Sequence, residues 1–512
     1  MTDNRYIGVT IGPIFDVMNL ANTPASLWAS SYLFSYLSKC ICEELVKRGV
    51  LQEDIIAPYY DSTCHIIDDM AKEGVGLFHD HIVFKQKNFP LEKMSEVRTA
   101  AIDRLYEAFD VGKKYRDARY LDNFIMISCF EFEAGYSVDE NPLMICGKIF
   151  DSIELSKKFV PRETNGNPIL ELFTGIDENR KAENTKDKEN ALTGKTFPYD
   201  EKKNNIGRNE RIKSVAIYKL GCENWQMLLK TGGRVLKSIH DLQSKGYYAV
   251  VRADGDDVGK YISSLKSDEE IRLFSKECYS CFSEITKRVK EFGGITIYAG
   301  GDDLLAIMPC INNDGSKTIL DFVSEAQGFF RNNLSFGIFV CYEKFPLYEA
   351  LRRSAGLLYV TAKNRIVGDE LKKNNTVIFV QNHSGQTESF IIGNETIGEL
   401  LATQHLIVSA RAGGNDQGLI SALQKIALFR ELLKIAAETE NEDHIQALFD
   451  NMFDGNKQET TFLRNVLSQL FIDIIGKKID IKAIGDENYN EADTLKYLLR
   501  MLKFFIERGA KW

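Results

Sequence analysis

Two short acidic runs are the residues best suited to chemistry: Asp254-Gly255-Asp256-Asp257 and Gly300-Gly301-Asp302-Asp303. Strand-like segments, Gly294–Ala299 and Leu304–Met308, flank the second run, so it reads as the tip of a hairpin. Glycine permits positive φ and lets a phosphate or an ion come close to the backbone. Adjacent carboxylates at such a tip repel one another. A divalent cation relieves that repulsion, and hard oxygen ligands suit Mg²⁺ or Mn²⁺. The bland alternative for Gly300–Asp303 alone is a polar turn.

The first run weighs against that alternative. It ends the strand-like segment Tyr247–Ala253. In a ferredoxin-like sheet the first strand lies beside the hairpin, so the two runs would face each other. That pairing belongs to palm-type nucleotide transferases. The expected ligands are Asp254, Asp302 and Asp303, holding two ions about 4 Å apart. Such a pair suits attack by a 3′-hydroxyl with pyrophosphate leaving, where positioning and charge neutralisation matter more than covalent help. Gly255 would offer its carbonyl to the second ion, Asp256 would orient a ligand or a water, and Asp257 would face solvent. Lys260 and Lys363 are candidates for the triphosphate against the ordinary reading of solvated lysines. Ser335 and Gly337 would leave room for the base or ribose.

Around these residues, apolar periodicity predicts a strand at Tyr6–Pro13, a helix over about 23–48, and short strands at Ile55–Tyr60 and His81–Phe84. Residues 90–160 read as mainly helical. The stretch of about 175–211 is charged and poor in large apolar residues, as a mobile loop would be. Helices are predicted at about 268–291, 316–332 and 346–363, and strands at Leu334–Val340 and Asn375–Val380. From about 389 the pattern is helical. The predicted class is α+β: two ferredoxin-like palm domains, an intervening helical region and a C-terminal helical domain. The boundaries are 1–90 for part of the first palm, 91–214 for the insert, 215–388 for the second palm and 389–512 for the last domain.

The 512 residues are 44% hydrophobic and 27% charged, with net charge −9. That balance limits any nucleic-acid contact to a local patch or to partner subunits. There is no apolar run of about 18 residues for a membrane span and no signal-peptide core, so a cytoplasmic location is expected. The ten cysteines are scattered. The close pairs Cys40/Cys42 and Cys278/Cys281 fall in helical stretches, where buried thiols are a better reading than zinc.

The segments Ala253–Lys260, Tyr298–Ala306, Leu334–Ile338 and Ala362-Lys363, with Ile11–Asp16 and Leu27–Leu37 before them, resemble the large subunit of type III CRISPR effector complexes in its Cmr form. The resemblance covers most of the chain. It implies two facing palms, the second holding the metals and the first the acceptor nucleotide. It implies assembly with other subunits, guide RNA and target RNA, and conversion of ATP into cyclic oligoadenylate. Alternatives are adenylyl transfer to another acceptor such as S-adenosylmethionine, a stand-alone cyclase, or a binding scaffold without turnover. Many relatives begin with an HD nuclease domain; here the strand at Tyr6 leaves no room for one. His79-Asp80, near His65 and His81, is an H-D dipeptide without the helical setting an HD site needs. The cysteine-rich motif between the palms is replaced by Glu171–Gly175.

Overall fold

The computed structural model describes residues 4–508, apart from 20–23, 73, 109–119, 138–139, 156–245, 410–416, 454–457 and 486–487. The predicted loop at 175–211, the Glu171–Gly175 segment and the start of the second unit near Val215 lie outside the described residues.

Two sheets carry the architecture. The first contains β1 (Arg5–Gly12), β2 (Ile55–Ala57), β3 (His81–Lys85) and β4 (Met126–Glu133), in the order β2-β3-β1-β4. The second contains β5 (Tyr247–Gly255), β6 (Ile295–Gly300), β7 (Asp303–Met308) and β8 (Leu334–Tyr342). The small ribbon of β9 (Arg365–Val367) and β10 (Glu370–Lys372) stands apart from it. β11 (Asn375–Gln381), β12 (Thr387–Gly393) and β13 (Ile481–Ala483) extend the second sheet to β13-β12-β11-β8-β5-β7-β6. Its core order β8-β5-β7-β6 and the first sheet's β4-β1-β3-β2 are the same arrangement of fourth, first, third and second strands. Both are therefore ferredoxin-like, and the α+β reading stands.

The helices form where the patterning puts an apolar stripe and the ends are capped. Ser267 accepts from the Glu270 N–H at 3.2 Å to start the helix Asp268–Phe292, and Gly293 at φ 98° ends it. Three acidic residues in its first turn favour the positive end of the helix dipole. Thr318 and Asp321 form a capping box on Ile319–Gln327. The long helix Pro24–Lys47 matches the predicted one.

The helix Asp268–Phe292 also joins the two sheets. Arg272 donates to the carbonyls of Gln52 and Ile55 beside β2. Asp268 accepts from Tyr6 at 3.1 Å and from Lys85 at 2.9 Å, and also from Tyr136. One apolar core runs through both sheets, from Ile7 and Phe84 to Val250 and Phe336.

The described residues of 90–160 are mainly helical, but they also hold β4, a strand not anticipated, which runs along β1 for its whole length. Only its last four residues, Phe130-Glu131-Phe132-Glu133, alternate apolar and polar, at the short limit for recognising a half-buried strand. Likewise the helical reading from 389 onward misses the end of β12 and all of β13. A three-residue strand is too short to show a period.

Candidate active site

β5 brings the first acidic run to the sheet end where the β6–β7 hairpin turns. Asp254 is the register partner of Asp303 on one side and of Ser335 on the other. The Gly255 N–H donates to the Asp302 carbonyl at 3.0 Å, which fixes the turn against the strand. Gly301 sits at φ +62° in open space, a conformation that glycine adopts freely. A Cβ on Gly255 would lie 2.6 Å from Val258, 2.8 Å from Phe330 and 3.1 Å from the Cβ of Asp302. The glycine is thus what lets the two acidic runs close on each other.

Burial pushes the carboxyl of Asp302 up, and Asp303 adds to that. At Asp303 burial acts the same way, while Arg252 and a hydrogen bond from the Tyr359 hydroxyl at 3.3 Å oppose it. Lys363 reaches in from the end of the helical segment Gly356–Ala362. Its ammonium contacts the Asp254 carboxylate and donates to the Gly255 carbonyl at 2.9 Å. Burial and then Lys373 pull the Lys363 pKa down to about 8. The Asp254 carboxylate beside it works in the opposite direction, since a neighbouring negative charge favours the charged ammonium. A cation is therefore already accommodated by the carboxylate and the carbonyl. Half-buried Asp302 and Asp303 add hard oxygen donors of the kind Mg²⁺ or Mn²⁺ takes, although the ligand atoms of the three carboxylates are not gathered within 4.8 Å of one another here.

Other predicted site residues fall elsewhere. Asp256 is buried, and the Ser335 hydroxyl lies 2.9 Å from each of its oxygens. The Asn374 N–H donates to it at 2.8 Å. It braces the ends of β5, β8 and β11. Ser335 is fully buried in that brace and leaves no space for a base. Gly337 serves packing instead of the nucleotide, since a Cβ there would lie 2.5 Å from both the Leu358 N and the Ser354 carbonyl. It lets the helical layer 347–362 settle on β8. Lys260 is 82% exposed and pairs with Asp257 at 2.9 Å, so it stays at the surface. Asp257 is exposed, as expected.

Three residues near the site were not anticipated. Arg252 lies two residues before Asp254, hence on the same strand face, and its Nε has no hydrogen-bond partner among the described residues. Tyr359 precedes Lys363 by four residues on a helical segment, again one face. Both were recoverable from period alone. Lys373, 3.0 Å from Asp257, comes from the turn after β10 and carried no periodic signal.

The first sheet has a counterpart of this site. In β5–β7 the pair is Asp254 and Asp303; in β1–β3 the corresponding pair is Thr10 and His81, with Asp80 just before. Thr10 donates to Glu154 at 2.9 Å, and His81 lies 2.6 Å from the same carboxylate. Asp80, His81 and Glu154 bring their ligand atoms within 4.8 Å of one another. Burial raises the Asp80 carboxyl, with contributions from Glu154 and from Asp303 of the other sheet. His79, next to them, has its pKa pushed down to about 3 by burial and by the neighbouring His81. The H-D dipeptide thus sits at the start of a strand, not in a helical domain.

Comparison with known proteins gives a consistent picture. The chain matches the family described as Cas10/Cmr2, second palm domain, over residues 247–376, and CRISPR-associated protein Cmr2, N-terminal, over 6–115. It is 31% identical over 151 residues to the CRISPR system Cmr subunit Cmr2 of Pyrococcus furiosus. That alignment spans 23% of this chain and 17% of that relative. A Type III-B Cmr-beta structure bound to cognate target RNA has TM-score 0.55 and 11% identity, covering 99% of this chain and 83% of that one. The apo state of Cmr-beta gives TM-score 0.53 at 11% identity, covering 98% and 81%. At these identities the likeness is one of fold. Among the described residues no helix is long and apolar enough to cross a membrane.

Proposed function

Because this chain belongs to the Cas10/Cmr2 family of type III CRISPR large subunits, we propose that it is a metal-dependent nucleotidyltransferase that converts ATP into an adenylate-based second messenger, cyclic oligoadenylate. The observation that carries this reading is the register pairing of Asp254 with Asp303 beside the Gly255 carbonyl and Lys363. Asp254, Asp302 and Asp303 would hold Mg²⁺ or Mn²⁺, which when bound lower the barrier to phosphoryl transfer by neutralising charge on the phosphates. Lys363, released from Asp254, would turn to the triphosphate. Tyr359 holds Asp303 by a hydrogen bond, and the charge of Arg252 favours the Asp303 carboxylate. Target RNA, guide RNA and the other subunits of the complex are the proposed partners and trigger.

A second reading concerns the acceptor, and the acidic first-sheet counterpart favours it. Asp80 and Glu154 would repel a second triphosphate but complement a positively charged acceptor such as S-adenosylmethionine. In either case the first palm contributes the acceptor half. It runs further than residue 90, through β4, with the second palm at about 215–388 and the helical domain after it.

The test is mass spectrometry of products made from ATP by the target-RNA-bound complex, with and without S-adenosylmethionine. An adenylate oligomer supports the first reading, and a mixed adenylate conjugate the second. A product containing no adenylate overturns both. Replacing Asp302 and Asp303 together by Ala is expected to abolish pyrophosphate release while the complex still assembles. Undiminished release in that variant would remove the metal-site assignment.

A further inference from the structure

Lys363 and Lys373 stand at the two ends of one small element, the β9–β10 ribbon, and both reach the end of β5. The ribbon pairs only internally, through Arg365–Lys372, Ile366–Leu371 and Val367–Glu370. Its apolar side chains point outward: Ile366 is 71% exposed, Val367 42% and Leu371 55%. Apolar burial therefore does not hold it in position, and polar contacts at its base must.

Those contacts converge on one residue far along the chain. The Arg365 guanidinium grips the Asp480 carboxylate through two nitrogens, at 3.0 and 2.5 Å. Lys372 donates to the same carboxylate at 2.9 Å. A two-pronged guanidinium–carboxylate contact fixes orientation as well as distance. Asn375 completes the base by donating to the Ala362 carbonyl at 3.0 Å and the Lys372 carbonyl at 2.7 Å. Its side-chain oxygen accepts from Arg365 at 3.0 Å.

Asp480 is itself held rigidly. Its N–H donates to the Thr396 hydroxyl at 3.0 Å, and its carbonyl accepts from the Gly393 N–H at 2.7 Å. It directly precedes β13, the strand by which the C-terminal helical region joins the edge of the palm sheet. A Cβ on Gly393 would lie 2.5 Å from an Asp480 carboxylate oxygen, so the glycine makes room for this carboxylate.

We propose that Asp480 is a positioning residue for the nucleotide site, holding the β9–β10 ribbon so that Lys363 and Lys373 stay at the end of β5. The C-terminal region thereby sets the placement of both lysines, and a displacement of that region reaches the site through this one carboxylate. The proposal rests on the nucleotidyltransferase reading for what the lysines bind, but not for the clamp itself.

The test uses the full chain with Asp480→Asn and, separately, Gly393→Ala, which crowds the carboxylate without removing it. Three quantities are read: amide hydrogen exchange of residues 364–374, ATP affinity by calorimetry, and Mn²⁺ affinity by electron paramagnetic resonance. Both variants are expected to speed exchange in the ribbon and to weaken ATP binding about tenfold, a change of about 1.4 kcal/mol. Mn²⁺ affinity is expected to stay within about twofold, which a general loss of structure would not allow. Pairing Arg365→Asp with Asp480→Arg should recover part of the ATP affinity, since the contact is remade with its charges exchanged. Unchanged exchange and ATP affinity in the variants, with wild-type binding intact, would overturn the role of Asp480 alone. A wild-type chain that binds no ATP would instead overturn the nucleotide reading, while exchange in the ribbon still reports on the clamp.

Discussion

Asp254 and Asp256 are two residues apart, yet their environments give them different roles. Asp254 meets Asp303 and Lys363. Asp256 is enclosed by Ser335 and the Asn374 N–H. Charge type alone cannot separate a metal ligand from a structural brace; the number of donors already committed to each carboxylate can. Replacing Asp256 by Ala leaves a buried hydroxyl and a buried N–H without their acceptor, at a cost of about 1–3 kcal/mol. Denaturant unfolding is expected to show that loss, with Mn²⁺ binding at Asp254 and Asp303 largely retained. A variant as stable as the wild type would return Asp256 to the ligand site.

At the scale of elements, the site depends on how closely the helical layer approaches β8. Gly337→Ala is expected to destabilise the fold by about 1–3 kcal/mol, because the new methyl meets backbone atoms that cannot step aside. It should also lower ATP turnover, since Lys363 ends that layer. A second element-level dependence is on pH. In the C-terminal region Arg430 forms a two-pronged contact with Asp493 at 2.8 and 2.6 Å. Burial raises the Asp493 carboxyl, but hydrogen bonds from Arg430 and the Asn490 N–H outweigh it and leave the pKa depressed. A depressed carboxyl stabilises the fold above the ordinary carboxylate value of about 4, and the benefit is lost as pH falls through the lower folded value. The unfolding midpoint of the wild type should therefore drop with acid over that window. Asp493→Asn should be less stable at neutral pH and show a shallower drop, measured by thermal melts across pH 2–6 (roughly the carboxylate window).

At the scale of the molecule, the helix Asp268–Phe292 is one of the elements that tie the two sheets, and its Arg272 donates to two carbonyls at β2. Removing a charged hydrogen bond of this kind costs about 1.5–3 kcal/mol. Arg272→Ala is expected to lower the unfolding midpoint and to depress product formation more than it depresses nucleotide binding, because donor and acceptor halves lose alignment. Far-ultraviolet circular dichroism should stay near that of the wild type. Equal losses of binding and turnover would mean that alignment of the halves is not what Arg272 supplies.

The acidic runs, the hairpin glycines and the strand–helix order were legible in the sequence because each is a local pattern: a period, a turn residue or a repeated charge. They sufficed for the palm fold, for Asp254 and Asp303 as partners, and for the family resemblance. The roles of Ser335, Gly337 and Asp256 were not legible, since each depends on which helix or turn packs against it. Lys373 and Asp480 carry no local pattern at all. Asp480 reaches Arg365 across 115 residues. Only tertiary packing, which closes such distances and commits each hydrogen-bonding group to a particular neighbour, decided that a C-terminal carboxylate holds the ribbon between the two lysines.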